Sequence, residues 1–257
     1  MDEKDALEIS KRVTKNVLKA INQIPPEIRG KTVGLGKDGT PTKLIDEVAE
    51  KAALEVLKNE DVTIISEEAG IVGEGDIFVA LDPLDGTFNA TRGIPIYSIS
   101  LCFSSSSKLG YAFFGYVYNL ATHDEFYTFG EEAYWNDRIV RVSENREIRN
   151  CNAIVYYPRV SHPFKRMRVF GSAAFELCLV ASGLFDCFID IRPGNGGRGL
   201  LRIYDVAAGI YIIKRAGGLV TDINGEDLRN KRFTMDERLR IVASNKYLHK
   251  RILELIS

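Results

Sequence analysis

The sequence predicts a layered mixed α/β fold. Three patterns carry that expectation. Apolar residues recur every three or four positions near both ends of the chain, as amphipathic helices require. Short apolar runs of strand length lie between them, and two of these runs end in clusters of acids. From about residue 172 onward, helix-like and strand-like segments alternate. With 45% hydrophobic residues among 257, the chain can bury one large core or two intimate lobes. A weak boundary near residue 150 is expected to separate an N-terminal α+β lobe (1–150) with metal-binding acids from a C-terminal α/β lobe (151–257) that completes the site.

Ala6, Ile9, Val13, Val17 and Ile21 define the buried face of a first helix, which Pro25-Pro26 stops. A loop rich in glycine and lysine, 30–39, follows. Thr40-Pro41 then reads as an N-cap with proline at the first helical position, and Ile45, Val48, Ala52 and Val56 face the core from a second helix. Residues 62–65 form a strand ending in Ser66-Glu67-Glu68, and 77–81 form another ending in Asp82-Pro83-Leu84-Asp85-Gly86-Thr87. Alternating segments at 96–103, 111–118 and 125–128, separated by Ser, Gly, Asn and Asp, suggest an antiparallel meander. Beyond them come a helix at 172–181 closed by Gly183, a strand at 185–191 and a helix at 205–216 closed by Gly217-Gly218. A strand at 219–221, an Asn224-Gly225 turn, a strand at 240–243 and a last helix opened by Ser244 complete the chain.

Thirty-four basic against 35 acidic residues leave a formal net charge of −1, which excludes a protein that coats nucleic acid. The first residues are charged throughout where a signal peptide would be apolar, and no run reaches the length of a membrane span, so a soluble, cytoplasmic protein is expected. Cys102, Cys151, Cys178 and Cys187 lie in apolar contexts without metal-ligand spacing, which fits buried thiols rather than zinc.

Asp82 and Asp85 flank a proline whose fixed φ holds the turn, and Gly86 lets a backbone approach a ligand closely. Two carboxylates can then share one small space. Mg²⁺ takes oxygen ligands while keeping positions for water and phosphate, and Glu67 at the end of a neighbouring strand can complete such a site. An isolated acid pair in this position is more often a turn and helix cap. A calcium-binding EF-hand loop is excluded, because its acid spacing and distant glutamate are absent.

Taken together, Glu67-Glu68, the run from Asp82 to Thr87, and Tyr204-Asp205-Val206-Ala207-Ala208-Gly209 resemble the paired signatures of the inositol monophosphatase family. The likeness covers nearly the whole chain, including Thr42 and Asp46 upstream and Gly171-Ser172-Ala173-Ala174. It is closest to the archaeal-type branch that hydrolyses both inositol monophosphates and fructose 1,6-bisphosphate. The resemblance implies an αβαβα sandwich of the sugar-phosphatase type, usually homodimeric. It also implies a lithium-sensitive phosphomonoesterase using two or three Mg²⁺ ions, with Mn²⁺ as a possible substitute. Carried over by position, Glu67, Asp82 and the Leu84 carbonyl bind one metal, and Asp82, Asp85 and Asp205 a second. Glu67, with Asp46 through water, supports a third on the side of loop 30–39. Thr87 and Asp46 orient the attacking water or take its proton, and Glu67 belongs to the same catalytic set. This agrees with the chemistry, since a phosphate monoester needs charge neutralised at both the attacking and the leaving oxygen.

Substrate is expected against Asp85, the N–H groups of Gly86 and Thr87, and those of the Ser172-Ala173 helix start, where orphan donors favour an anion. For Ser172 an ordinary N-cap is an equal alternative. Arg168 and Arg192 look like the substrate arginines of the archaeal branch. Arginine grips a phosphate through two N–H groups, so a second phosphate is what they would recognise. Alternatively, Arg192 only salt-bridges a nearby acid. Arg92, Arg198, Lys165 and Tyr156-Tyr157 either join this rim or are ordinary surface, and Lys37 either closes over the metals or stays solvated. Residues 193–199 depart from the family in length and glycine content, which leaves the place of Arg198 open. Two other functions have to be weighed. One is a 3′-phosphoadenosine nucleotide phosphatase with the same metal core, although no adenine pocket is legible. The other is a non-catalytic phosphate-binding regulatory protein, against which the complete acid set speaks. The expected partner is a small sugar or polyol phosphate, with neither nucleic acid nor membrane involved.

Overall fold

The computed structural model describes residues 1–37, 39–156, 163–197 and 199–256; Tyr157 and Arg198 lie outside them. Helix α1 (Glu3–Ile21) starts where Asp2 and Asp5 cap each other's backbone N–H at 2.9 Å, and it buries the five apolar positions its spacing predicts. Residues 40–43 are not a helix start. Strands β1 (Thr32–Leu35) and β2 (Pro41–Lys43) form a hairpin instead. Helix α2 (Leu44–Leu57) begins after it, and the Asp46 carboxylate accepts from Lys43 N at 3.0 Å to cap its first turn. Proline lacks an N–H and suits the first residue of a strand as well as that of a helix, so pairing with β1 decides the outcome.

The larger sheet contains β3 (Val62–Ser66), β4 (Gly70–Val72), β5 (Ile77–Asp85), β6 (Ser98–Ser104), β7 (Ala112–Asn119), β8 (Glu125–Phe129), β9 (Glu132–Trp135) and β10 (Arg138–Val140). Their spatial order is β10-β9-β8-β7-β6-β5-β3-β4, antiparallel except for the β3–β5 pair. A single turn of helix, α3 (Thr87–Ala90), follows β5. The smaller sheet is built from β11 (Asn152–Tyr156), β12 (Arg166–Arg168), β13 (Cys187–Asp190), β15 (Leu219–Asp222) and β17 (Ile241–Ser244), in the order β12-β11-β13-β17-β15. Helices α4 (Ala173–Ala181) and α5 (Ile203–Arg215) lie in sequence among these strands. Short strands β14 (Leu201–Arg202) and β16 (Arg238–Leu239) pair with each other, and α6 (His249–Ile256) ends the chain.

Period-two alternation sorts the apolar residues into three cores. Val79, Leu81, Ile99, Leu101 and Phe103 point to α1 and α2. Ala80 and Cys102, on the opposite face, meet α4 and α5, which also cover Ile154, Phe188 and Ile241 of the smaller sheet. The far face of that sheet, through Val155, Ile189 and Val242, packs on Ile252 of α6. The stack is therefore α-β-α-β-α, a mixed α/β fold. Gly209 permits the close contact of α4 and α5, since a Cβ there would fall 2.6 Å from Leu177 Cβ. Ser244 does not open the last helix; it belongs to β17, and Asn245 Oδ1 instead accepts from Tyr247 N and Leu248 N ahead of α6. All four cysteines are buried, with the sulfurs of Cys151 and Cys187 3.5 Å apart. Among the described residues no helix is long and apolar enough to cross a membrane.

Candidate active site

The site begins with a defect in the sheet. Asp82 stands opposite Ser100 and Asp85 opposite Ser98, three steps on β5 against two on β6. Residues three apart in a regular strand point to opposite faces; the bulge lets both carboxylates serve one site. Gly86 follows with φ +96°, and a Cβ there would lie 3.0 Å from the Ile96 oxygen and 3.1 Å from the Gly171 oxygen. Gly86→Ala is therefore expected to cost about 1–3 kcal/mol of stability, read from denaturant unfolding; an unshifted midpoint would show that the turn tolerates a side chain.

Thr87, first residue of α3, donates its hydroxyl to Asp46 Oδ1 at 2.8 Å and lies 3.4 Å from the Leu84 carbonyl oxygen. Asp205, in the first turn of α5, accepts from Arg202 N at 2.7 Å. One oxygen of Asp85 receives both the Ser172 hydroxyl at 2.8 Å and Ala174 N at 2.7 Å. Ser172 thus occupies the N-cap position of α4 without capping it through its own side chain. The acceptor for that helix comes from Asp85 on another element. Glu67 follows directly on β3, and Glu68 beside it accepts the Thr42 hydroxyl. Lys37 is exposed, its backbone N 3.4 Å from the Glu68 carbonyl oxygen.

The acids strain against one another. Asp82 is pushed well above the usual carboxylate range by burial first, then by Asp85, Glu67 and Asp205. Burial raises Asp85 to about 7 against the opposing hydrogen bonds from Ser172 and Ala174, and it raises Asp205 to about 7 as well. Asp46 rises to about 6, again by burial, with the bonds from Thr87 and Lys43 opposing. Among the described residues no three Asp, Glu, His or Cys side chains are already drawn around one point at ligand distance. Asp82, Asp85 and Asp205 each turn an oxygen to a protein donor. Even so, an all-oxygen set of mutually repelling carboxylates around the buried Asp82 fits a hard divalent cation, whose charge would reverse the upward shifts. Glu67, Asp82, Asp85, Asp205 and the Leu84 carbonyl are the groups that would hold it.

A carboxyl with a folded pKa above its unfolded value keeps its proton longer in the native state. Its contribution is fully present below about pH 4 and is lost as pH rises through the folded value. In EDTA the melting temperature is therefore expected to fall as pH rises from about 5 to about 7, the folded values of Asp85 and Asp205, and to level off above them. His249, lowered to about 4 by burial, acts in the opposite sense below about pH 6.5, but as one group against the raised carboxyls Asp46, Glu50, Asp85, Glu176 and Asp205. Excess Mg²⁺ should raise the melting temperature more at the upper pH. Scanning fluorimetry checks this without any assay of activity, and a melting temperature that rises across the same window in EDTA would reject it.

Beside the acids opens a cavity of about 990 Å³, lined among others by Asp46, Glu67, Thr87, Lys31, Lys43 and Arg92. The Arg92 guanidinium lies 3.9 Å over the Phe88 ring. Arg192 follows β13; its Nε and Nη2 donate to Asp190 at 2.9 and 2.5 Å, and its guanidinium sits 4.3 Å over the Tyr156 ring. The salt bridge weighed for Arg192 is thus present. Arg168 and Lys165 are exposed, and Arg168 Nη1 donates to the Met167 carbonyl.

Residues 3–257 match the family model described as the inositol monophosphatase family. The chain belongs to that family. A protein of Archaeoglobus fulgidus named fructose-1,6-bisphosphatase/inositol-1-monophosphatase is 62% identical over 256 residues, covering the full length of both chains. A bifunctional NADP phosphatase/NAD kinase of Methanococcus maripaludis is 30% identical over 282 residues, covering 97% of this chain and 49% of that protein. A crystal structure of an inositol monophosphatase–fructose 1,6-bisphosphatase superposes with a TM-score of 0.83 at 31% identity, covering 97% of each chain.

This member of the inositol monophosphatase family also buries polar groups that sequence reasoning missed. Asn89 donates to the Ile96 and Phe170 carbonyl oxygens at 2.7 and 2.6 Å, joining α3 to the turn before α4. Glu176 is wholly buried and accepts from Tyr156, Phe170 and Gly171. One signal was available, since Glu176 is the only charge in the apolar run of α4.

Proposed function

We propose that the chain is a Mg²⁺-dependent phosphomonoesterase that hydrolyses fructose 1,6-bisphosphate and inositol 1-phosphate by attack of water on phosphorus. One observation carries it: the repelling acids Glu67, Asp82, Asp85 and Asp205 lie beside the Thr87–Asp46 hydrogen bond. The family and the named activities of the archaeal relatives support the same reading. When bound, Mg²⁺, or Mn²⁺ in its stead, would supply charge neutralisation at the attacking and leaving oxygens. Thr87 orients the attacking water, and Asp46, which accepts the Thr87 hydroxyl, takes the proton. The N–H groups of Gly86 and Thr87 face the phosphate oxygens, whereas the Ala173 N–H expected to join them is turned to Asp85. Arg192, which resembles a substrate arginine of the archaeal branch, meets a second phosphate. Lithium sensitivity, a homodimer and a cytoplasmic location belong to the same proposal.

Phosphate release from fructose 1,6-bisphosphate, inositol 1-phosphate, a 3′-phosphoadenosine nucleotide and NADP, each with Mg²⁺ or with EDTA, tests it. Turnover of the first two in Mg²⁺ alone is expected. Turnover confined to a nucleotide, or absent throughout, would reject the assignment.

A further inference from the structure

Glu176 presents a problem of its own. A carboxyl taken out of water is costly unless every lone pair it exposes finds a donor, and an apolar residue would fill the same space in α4 more cheaply. Its bonds show what is obtained in return. Oε1 accepts from Phe170 N at 2.5 Å and Gly171 N at 3.2 Å; Oε2 accepts from the Tyr156 hydroxyl at 2.6 Å. On one side this fixes the turn at Gly171, φ +83°, that leads directly into Ser172 and so to Asp85. On the other it fixes Tyr156, whose ring supports the Arg192 guanidinium. Tyr156 stands opposite Asp190 in the parallel register of β11 and β13, and Asp190 grips the same guanidinium.

We infer that Glu176 is a positioning residue for substrate choice, setting the separation between the turn that faces the scissile phosphate and the guanidinium of Arg192. The inference rests on the function proposed above, in which Arg192 meets a second phosphate. A sugar bisphosphate holds its two phosphates a set distance apart, so gripping both requires two anion sites at a matching, rigid spacing. A monophosphate uses only one of them. Loosening the Glu176–Tyr156 bond should therefore weaken the bisphosphate selectively.

The test uses the full chain with saturating Mg²⁺ and measures kcat/KM for fructose 1,6-bisphosphate and for inositol 1-phosphate. Tyr156→Phe keeps the ring and removes the hydroxyl. It is expected to lower the bisphosphate value roughly 3- to 10-fold and to leave the monophosphate value within about twofold. In an Arg192→Ala background the same change should have no further effect on the bisphosphate, because the hydroxyl acts through the arginine. Glu176→Gln can still accept from Phe170 and Gly171 and donate to Tyr156, so it should keep most of the preference; Glu176→Leu should lose it. Equal losses on both substrates, or effects of Tyr156→Phe and Arg192→Ala that simply multiply, would overturn the inference while leaving the function standing. A wild-type protein inactive on fructose 1,6-bisphosphate would overturn both.

Discussion

Asp205→Asn is expected to lower kcat by at least about 100-fold at limiting Mg²⁺ while the protein stays folded. The fold should survive because the asparagine carbonyl can still accept the Arg202 N–H that Asp205 now holds at 2.7 Å. What disappears is a negative charge among the acids clustered around the buried Asp82, and with it part of the hold on the cation that would neutralise them. Excess Mg²⁺ should recover part of the rate. Circular dichroism establishes the fold, and phosphate release against Mg²⁺ concentration reads the effect. A folded variant with wild-type turnover at limiting Mg²⁺ would remove Asp205 from the metal set.

Thr87→Val should be nearly as severe, for a different reason. Valine matches threonine in shape, so α3 and the turn at Gly86 remain, but the hydroxyl that joins Asp46 at 2.8 Å is gone. A positioned proton-transfer pair contributes about 10²- to 10⁴-fold, and kcat should fall within that range. The loss should be equal for fructose 1,6-bisphosphate and inositol 1-phosphate, since both are attacked by the same water, and the Mg²⁺ dependence should shift little. A kcat within about twofold of wild type would show that water is oriented by something other than Thr87.

The acids were legible in the sequence because each sits in a local pattern: an apolar strand that ends in acid, a proline between two aspartates, a helix that opens on Tyr204-Asp205. The bulge that turns Asp82 and Asp85 to one site was not, because it exists only in the pairing of β5 with β6. Long-range partners account for the other misses. Ser172 reads as a cap until Asp85, 87 residues earlier, takes both its hydroxyl and the Ala174 N–H. Thr40-Pro41 suits a helix start or a strand start, and only the hairpin with Thr32–Leu35 separates the two. β11 escaped notice because five residues between loops carry little periodicity, although they hold Tyr156 beneath Arg192. For Arg192 the salt bridge weighed from the sequence is present, and its partner is Asp190, two residues earlier.

Both sheets end in strands that offer little to a neighbour. The larger is bounded by β4 and β10, of three residues each, and the smaller by β12, also of three, and β15, of four. β12 reads Arg-Met-Arg, so its rim carries two cations, and β10 opens with Arg138. A stray chain adding itself to such a rim would gain only a few backbone hydrogen bonds while meeting charge. Fibril-like stacking is thus disfavoured at the β10 and β12 margins, where two copies that associate would do so through side-chain surfaces rather than by continuing a sheet.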